Sequence, residues 1–574
     1  MPADTPPGYP FPPDQDPDRT IAYRTPQPVH PAQPAGHDNP RTQQLPQWHE
    51  PEELGYGMAP PADAYGNPGA YGNAGAYGNA GDYAGAAHGN PGAPAAPPKR
   101  GRGWIAALVA AVLVGVVGGG GVWAVAKLSG GGTQPQEVLP GNAIAYVRLD
   151  LDPAANQKVA LFNIARKFSV TKDSFTGDDP RKAVFEALRK DAPDLGKVDY
   201  AKDVEPWLGD RIGVAVLAPA KAGADPGIAV AVQVKDEAAA RTGIAKLATG
   251  KQPGLTFRDG YAILAQTQVE ADAYGKAAPL TQNADFSDDL SALGEPGVLS
   301  FWADLGQIAK ASGADQSADA AILEPIKNTR FAGALRFDGD YAELTGITRG
   351  GSATGATEPE PVKIGELPDS TVGALSVSGL GDVLEKQWPQ IRKAAESTSD
   401  GQSFTQFLDQ AQQNYGLALP DDLVTLLGKS LTVAVDQQGL NGDQPNVGAV
   451  LATDPGKAQE VLGKVEKFLA DSGTPLQLAK APGDGRLVVA SAQGYADKLA
   501  KGGTLGDSET FKRAVPDADA ATYALFVDLD KLEPLYAANL QGDEKANAEA
   551  LRAVGLSGKY SGTEATFTLR VLFN

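Results

Sequence analysis

Cysteine is absent from the 574 residues, and the four histidines, His30, His37, His49 and His88, all fall in the first hundred. The bulk of the chain therefore has neither residue type. That excludes Ser-His-Asp and Cys-His catalysis, histidine proton shuttles and Cys/His zinc sites there. Disulfides are excluded as well, so an exported domain of this sequence must be held by packing alone. Excess positive charge is also missing: the formal net charge is -20 with no basic stripe, which excludes a nucleic-acid-binding surface. Carboxylate, Ser-Lys, Tyr and Lys chemistries survive this elimination.

Leu, Ile and Val are scarce in the first hundred residues, where Pro, Gly, Tyr and Asn dominate. Such a stretch cannot bury enough apolar surface to offset chain entropy, so 1–103 reads as a disordered tail. Tyr65, Tyr71, Tyr77 and Tyr83 recur every six residues in it, a low-complexity pattern that fits either a plain linker or a segment for weak self-association. Pro6-Pro7 and Pro10–Pro13 have the form of polyproline II ligands.

One long uncharged run interrupts this polarity, Trp104–Ala126 (WIAALVAAVLVGVVGGGGVWAVA). As a helix it is about 34 Å long against a hydrocarbon core of about 30 Å, which predicts a single transmembrane helix over 104–126. Lys99, Arg100 and Arg102 precede it and only Lys127 follows closely, so the expected N-terminus is cytoplasmic and the C-terminal part extracellular. Ala124-Val125-Ala126 has the small-x-small form of a cleavage site, but about a hundred residues precede the run, far more than an ordinary signal peptide carries. An uncleaved anchor is the reading, with cleavage after Ala126 left open. Gly115 and Gly119 form a GxxxG through which two such helices can pack.

Beyond the run the sequence repeats itself. Leu139-Pro140 matches Leu367-Pro368, Val204–Val216 matches Leu423–Val435, Asp236 matches Asp454, Leu299–Ile308 matches Tyr523–Leu532, and Gly333–Arg349 matches Gly555–Arg570. The offsets of 228, 219, 218, 224 and 222 differ only by small insertions, so the pairs are in register and imply a duplication. The organisation read from this is a linker over 127–136, a first repeat over 137–350, a linker over 351–362 and a second repeat over 363–574. Period-two alternation over Ile144–Leu149, Ile212–Val216, Ile228–Val234, Leu431–Val435 and Thr566–Leu572 predicts strands. Gly456–Ala470 predicts a helix with one apolar face, capped by Asp454 and ended by Gly473. Phe337-Asp338-Gly339-Asp340-Tyr341 predicts a hairpin. No GxGxxG fingerprint or β-α-β alternation marks a doubly wound fold. The expected class is α+β, with the membrane helix followed by two tandem homologous repeats whose sheets are largely antiparallel.

Val198–Arg211 (VDYAKDVEPWLGDR) resembles the hallmark of an actinobacterial, membrane-anchored domain family of unknown function, number 3352, and the opening LPGNAIAYVRLDLDP at Leu139–Pro153 fits the same plan. The resemblance implies an envelope-facing membrane protein and carries over no catalytic residue. The second repeat departs from the hallmark: Trp207, Asp210 and Arg211 become Leu426, Lys429 and Ser430, while Leu208 and Gly209 persist as Leu427 and Gly428. What the copies share is apolar packing, as at a structural corner where Gly permits a helix end or tight turn.

Asp150 and Asp152, with Asp528 and Asp530, are the best carboxylate pairs for Ca²⁺ or acid-base work, but each follows a strand and precedes a helix, where capping explains it. Ser169-Val170-Thr171-Lys172 has Ser-x-x-Lys spacing without the supporting motifs of that class, and Trp302 reads as core. The reading is an uncharacterised non-enzyme with no catalytic, cofactor-binding or metal residue assigned and no cofactor. Its expected role is to bind an envelope protein or wall polymer from outside the cell membrane. The alternatives are a carboxylate-dependent cell-wall hydrolase and a purely structural spacer.

Overall fold

The computed structural model describes residues 132–574 except 170–178, 180, 183–184, 187–188, 190–196, 222–223, 249–251, 313–326, 351–357, 398–400, 441–444 and 475. The tail, the apolar run 104–126, residues 127–131 and 351–357 of the two linkers and Lys172 lie outside the described residues.

The first copy contributes strands β1 (Ala143–Asp150), β2 (Leu208–Leu217), β3 (Gly227–Val234), β4 (Gly254–Arg258), β5 (Tyr261–Ala265), β6 (Leu299–Asp304), β7 (Arg330–Asp338) and β8 (Tyr341–Arg349). The second contributes β9 (Thr371–Ser378), β10 (Ser430–Asp436), β11 (Val447–Ala452), β12 (Ala479–Gly483), β13 (Arg486–Ala490), β14 (Tyr523–Asp528), β15 (Leu551–Ser561) and β16 (Glu564–Phe573). The five segments with period-two alternation all lie inside strands, and Gly456–Ala470 lies inside the helix Pro455–Asp471, whose first turn is capped by the Asp454 carboxylate.

All sixteen strands form one sheet in the order β12-β13-β11-β10-β9-β14-β15-β16-β8-β7-β6-β1-β2-β3-β5-β4. Adding eight to each strand number of the first copy reproduces the order of the second. The expectation of a membrane helix followed by two repeats with separate sheets is thereby corrected. The last strand of each copy has an open row of backbone groups, and the two rows satisfy each other along Tyr341–Arg349 and Glu564–Leu572. Among the described residues no helix is long and apolar enough to cross a membrane, so the transmembrane helix is not supported. The two longest, Leu380–Glu396 and Pro455–Asp471, have 17 residues each and carry several charged side chains.

The junction has a local two-fold axis. Equivalent turns precede β8 and β16, with Gly339 and Gly562 both at positive φ; 562 minus 339 gives an offset of 223. The same offset takes Thr345 to Thr568, and these two residues are also ladder partners, with hydroxyl oxygens 3.3 Å apart. A residue paired with its own counterpart marks the axis.

On one face each copy is roofed by helices around the same ring pair. Phe286 and Trp302 stand edge-on at 5.5 Å in the first copy, and Phe511 and Phe526 at 5.2 Å in the second. On the opposite face, Trp207, Ile212, Val230, Val232 and Leu264 pack under the helix Glu237–Leu247, and Leu451, Leu487 and Val489 pack under the helix Pro455–Asp471. Toward the middle of that opposite face, ladder partners align Val433, Leu375, Leu525, Leu556, Leu569, Leu344 and Leu335 in one row. The next row carries rings that lie over glycines of the neighbouring strand: Phe301 over Gly333, Phe567 over Gly346 and Tyr523 over Gly558. At each outer edge a matching glutamine bonds one backbone position. Gln268 exchanges hydrogen bonds of 3.1 and 3.0 Å with the backbone of Leu255 in β4, and Gln493 donates to the Lys480 carbonyl in β12.

Candidate functional site

Charge is concentrated in the first copy where β1 ends and β2 begins. Asp150, 3% exposed, takes the Arg148 guanidinium and, at 3.1 Å, the Arg211 Nε. Both arginines are as deeply buried, at 4% and 3% exposure. Arg148 also donates to Gln134 Oε1 at 3.0 Å and to the Gly297 carbonyl at 3.1 Å. The second Asp150 oxygen accepts the Asp152 amide at 2.9 Å, and the Asp152 carboxylate pairs with Lys158. Tyr146 and Tyr261 donate to Gln136 Oε1 and the Thr133 carbonyl, each at 2.7 Å. Burial pushes both phenols well above their usual range, against the pull of Arg148 on Tyr146 and of Arg211 and Arg148 on Tyr261.

The hallmark segment builds the neighbouring wall. Trp207 donates its indole N–H to the Asp203 carbonyl at 2.6 Å, and Gly243 leaves room for it, since a Cβ there would stand 2.0 Å from the indole nitrogen. Gly209 lies inside β2 against Gln233, not at a helix end. The corner expected of this glycine holds only for Gly428, which closes the helix Asp421–Leu427 at φ 53°. Asp210 follows, its amide donating to Gln233 Oε1 at 3.0 Å.

Asp210, Gln233, Lys235, Asp259, Thr133 and the backbone of Gly209 and Gly260 line a cavity of about 210 Å³. Burial raises the pKa of Asp210, an effect opposed by Arg181 at 3.8 Å and reinforced by Asp152 and Asp150. Burial lowers that of Lys235, with Arg181 adding to the shift. Arg181 is itself fixed by a two-pronged pair with Asp179 at 2.7 and 2.9 Å and by a 2.9 Å bond to the Leu208 carbonyl. Tyr200 donates to the same Asp179 at 2.6 Å. The cavity thus presents one carboxyl held toward its neutral form and one amine held toward its neutral form, beside an exposed Asp259.

Neither the buried Arg-Asp-Arg set nor the Asp210–Lys235 pair recurs in the second copy, although Asp259 before Gly260 recurs as Asp484 before Gly485. Arg148, Asp150 and Arg211 correspond to Ser376, Ser378 and Ser430, and Ser376 instead hydrogen-bonds the Thr432 hydroxyl at 2.6 Å. Lys429, the counterpart of Asp210, sits on the surface and pairs with Glu360 at 2.8 Å.

The carboxylates singled out in the sequence divide by mechanism. Asp528 caps the helix Leu529–Tyr536 through the Lys531 amide at 3.1 Å, as capping predicts. Asp150 and Asp152 do not cap the helix Ala155–Ala165, which starts at Ala154 without a side-chain bond; they are held in ion pairs instead. Asp530 accepts from Asn574 at 2.9 Å. Ser169 is occupied by Asn547, and Trp302 is core, donating to Asp289 at 2.9 Å. Asp338 and Asp340 flank the β7–β8 turn, where Asp340 pairs with Arg513. Sequence reasoning missed Lys235, Arg181 and Asp179, which no spacing ties to Asp210. It also missed Asp289, buried between Trp302, Arg330 and Arg349. Among the described residues no group of three or more His, Cys, Asp or Glu is placed to hold a metal ion.

No curated protein and no solved structure matches the chain. Residues 106–271, which run from the undescribed apolar segment through β5 into the helix Gln268–Lys276 and include the hallmark and the cavity, match the family model described as Protein of unknown function (DUF3352). Over that stretch, less than a third of its length, the chain is similar to a domain family whose function is not known.

Proposed function

We propose that the chain is a non-catalytic binding protein of the cell envelope, with recognition lodged in the first copy and the second copy serving as scaffold. The observation that carries this reading is the difference between two copies of one fold. The first keeps a charged, half-buried cavity beside Asp210 and Lys235, and in the second these two positions are the surface Lys429 and Thr453. A cavity of about 210 Å³ is smaller than the roughly 300 Å³ and above typical of a whole ligand. It suits a polar end group, such as the amino or carboxyl terminus of a peptide or of a wall polymer's peptide branch. The carboxylate pairs give less support to a hydrolase, because Asp150 and Asp152 are each committed to a buried cation. Placement outside the cell membrane is part of the proposal and rests on the family resemblance; protease treatment of intact spheroplasts tests it.

The binding reading is tested with a photo-reactive amino acid placed at Lys235 in the full chain, in living cells. Adducts at 235 and none at the corresponding Thr453 are expected. Equal adducts at both positions, or none at either, leave the spacer as the better reading.

A further inference from the structure

An antiparallel sheet with one wet face normally alternates apolar and polar residues, so that the wet face is polar. The middle of this sheet breaks that rule on the face away from the ring pairs. From β10 to β6, eight neighbouring strands place no charged residue in the leucine row or in the ring row beside it. Backbone groups there are used in the ladder, and the one phenol, Tyr523, donates to the Thr566 carbonyl at 2.8 Å. The face is open toward the second copy, where Leu375 is 48% and Val433 38% exposed against 5% for Ala374 on the roofed side, while at the β7–β6 end of the leucine row Leu335 and Leu299 are covered beside the helix Ala155–Ala165.

We propose that this face packs against the same face of a second copy of the chain, sheet on sheet. Four observations favour that occupant. The rows hold a single hydrogen-bonding side chain, Tyr523, whose proton is already donated to Thr566, so a polysaccharide or a charged polymer finds few partners there, while an identical apolar face is matched to it. Rings laid flat over Gly333, Gly346 and Gly558 keep the face smooth enough for two sheets to stack at about 10 Å. A chain of net charge -20 repels its own copies, and this is a region where two copies meet without facing like charges. The local two-fold axis between Thr345 and Thr568 passes through the face, so a second copy meets the same pattern from either half. Five strand spacings of about 4.8 Å in the leucine row and seven in the ring row, by roughly 15–20 Å along the strands, bound the area at about 350–700 Å² per copy. That is the low end for a specific interface and implies a dimer in the micromolar range. At the lateral edges of the sheet Gln268 and Gln493 already occupy backbone groups of Leu255 and Lys480, which disfavours edge-to-edge pairing there.

The absence of cysteine makes the test direct. Single Leu569→Cys and Leu344→Cys variants of the full chain, near the axis, are treated with a short bismaleimide at roughly micromolar concentration. A doubled-mass band is expected for both, and none for Asn142→Cys. Adding Leu375→Asp, at a position open enough to carry a charge without unfolding, is expected to abolish the band. No band at 569 or 344, or a band unchanged by Leu375→Asp, overturns the proposal. Protection of Cys at 569 by phosphatidylcholine vesicles without a doubled band also overturns it, by putting lipid on the face.

Discussion

Replacing Asp150 by Ala strands two guanidinium groups inside the protein. Arg148 and Arg211 are 4% and 3% exposed, and Asp150 is the carboxylate each pairs with. Removing one partner of a buried ionic set costs about 3–5 kcal/mol, because the charges left behind stay desolvated. Removing the whole set is different. In the triple variant Arg148→Met, Asp150→Leu, Arg211→Met no charge is left behind, and such replacements are often neutral or stabilising. What is lost includes the Arg148 bonds to Gln134 and the Gly297 carbonyl and the Asp152 amide bond to Asp150, about 1 kcal/mol each. The triple variant is therefore expected within about 3 kcal/mol of the parent, and Asp150→Ala, which loses the Asp152 amide bond as well as the buried pairing, lower than both. The second copy supports the comparison, since it folds the same way with Ser376, Ser378 and Ser430 at these positions. Urea unfolding followed by tryptophan emission measures the ranking. A triple variant as unstable as Asp150→Ala, or less stable, would falsify the idea that the set is held by mutual neutralisation.

Gly243→Ala pushes a methyl group into the Trp207 indole and the Asp203 carbonyl, and is expected to cost about 1–3 kcal/mol and to shift tryptophan emission to the red. Asp454→Ala removes the cap that accepts from Gly456 and Lys457 and is expected to cost about 1 kcal/mol by urea unfolding. Asp210→Asn acts through pH. The folded pKa of Asp210 is raised by burial, so the folded state holds its proton longer, and the stability this contributes at low pH is lost as pH rises through the folded value. The Asn variant is expected to be more stable than the parent at neutral pH, with the gap closing below the ordinary carboxylate pKa of about 3.9. A gap that widens on acidification refutes the assignment.

Much of the local structure was written in short-range pattern. Alternation at Ile228–Val234 and Leu431–Val435, the Asp454-Pro455 start and the glycine turn at 339 each depend on neighbours a few residues apart, and each is found in the fold. The duplication was legible because it preserves order. The joining of the copies was not, since the pairing of β8 with β16 links residues more than 200 positions apart and nothing in either strand names its partner. The same limit separates the two aspartate pairs. Asp528 caps the residue three positions on, which spacing reveals, while Asp150 is held by Arg211, 61 positions away. Lys235 and Asp210 meet at the cavity only because β2 and β3 are paired, and no motif records that meeting.

The Thr345–Thr568 pairing also bears on how this chain can be divided. A fragment ending near residue 350 keeps eight strands and the two clusters made wholly of its own residues, but it loses Phe573, Leu551 and Val571 from a third, and its outermost strand is left with the backbone groups that β16 had answered. Because that strand met its own counterpart in the parent, its sequence already suits a second molecule of the same fragment turned about the axis. Halves made separately should therefore be found as pairs, each rebuilding a sixteen-stranded sheet from two short chains. The intact chain would then be a covalently closed dimer whose two members have been free to diverge.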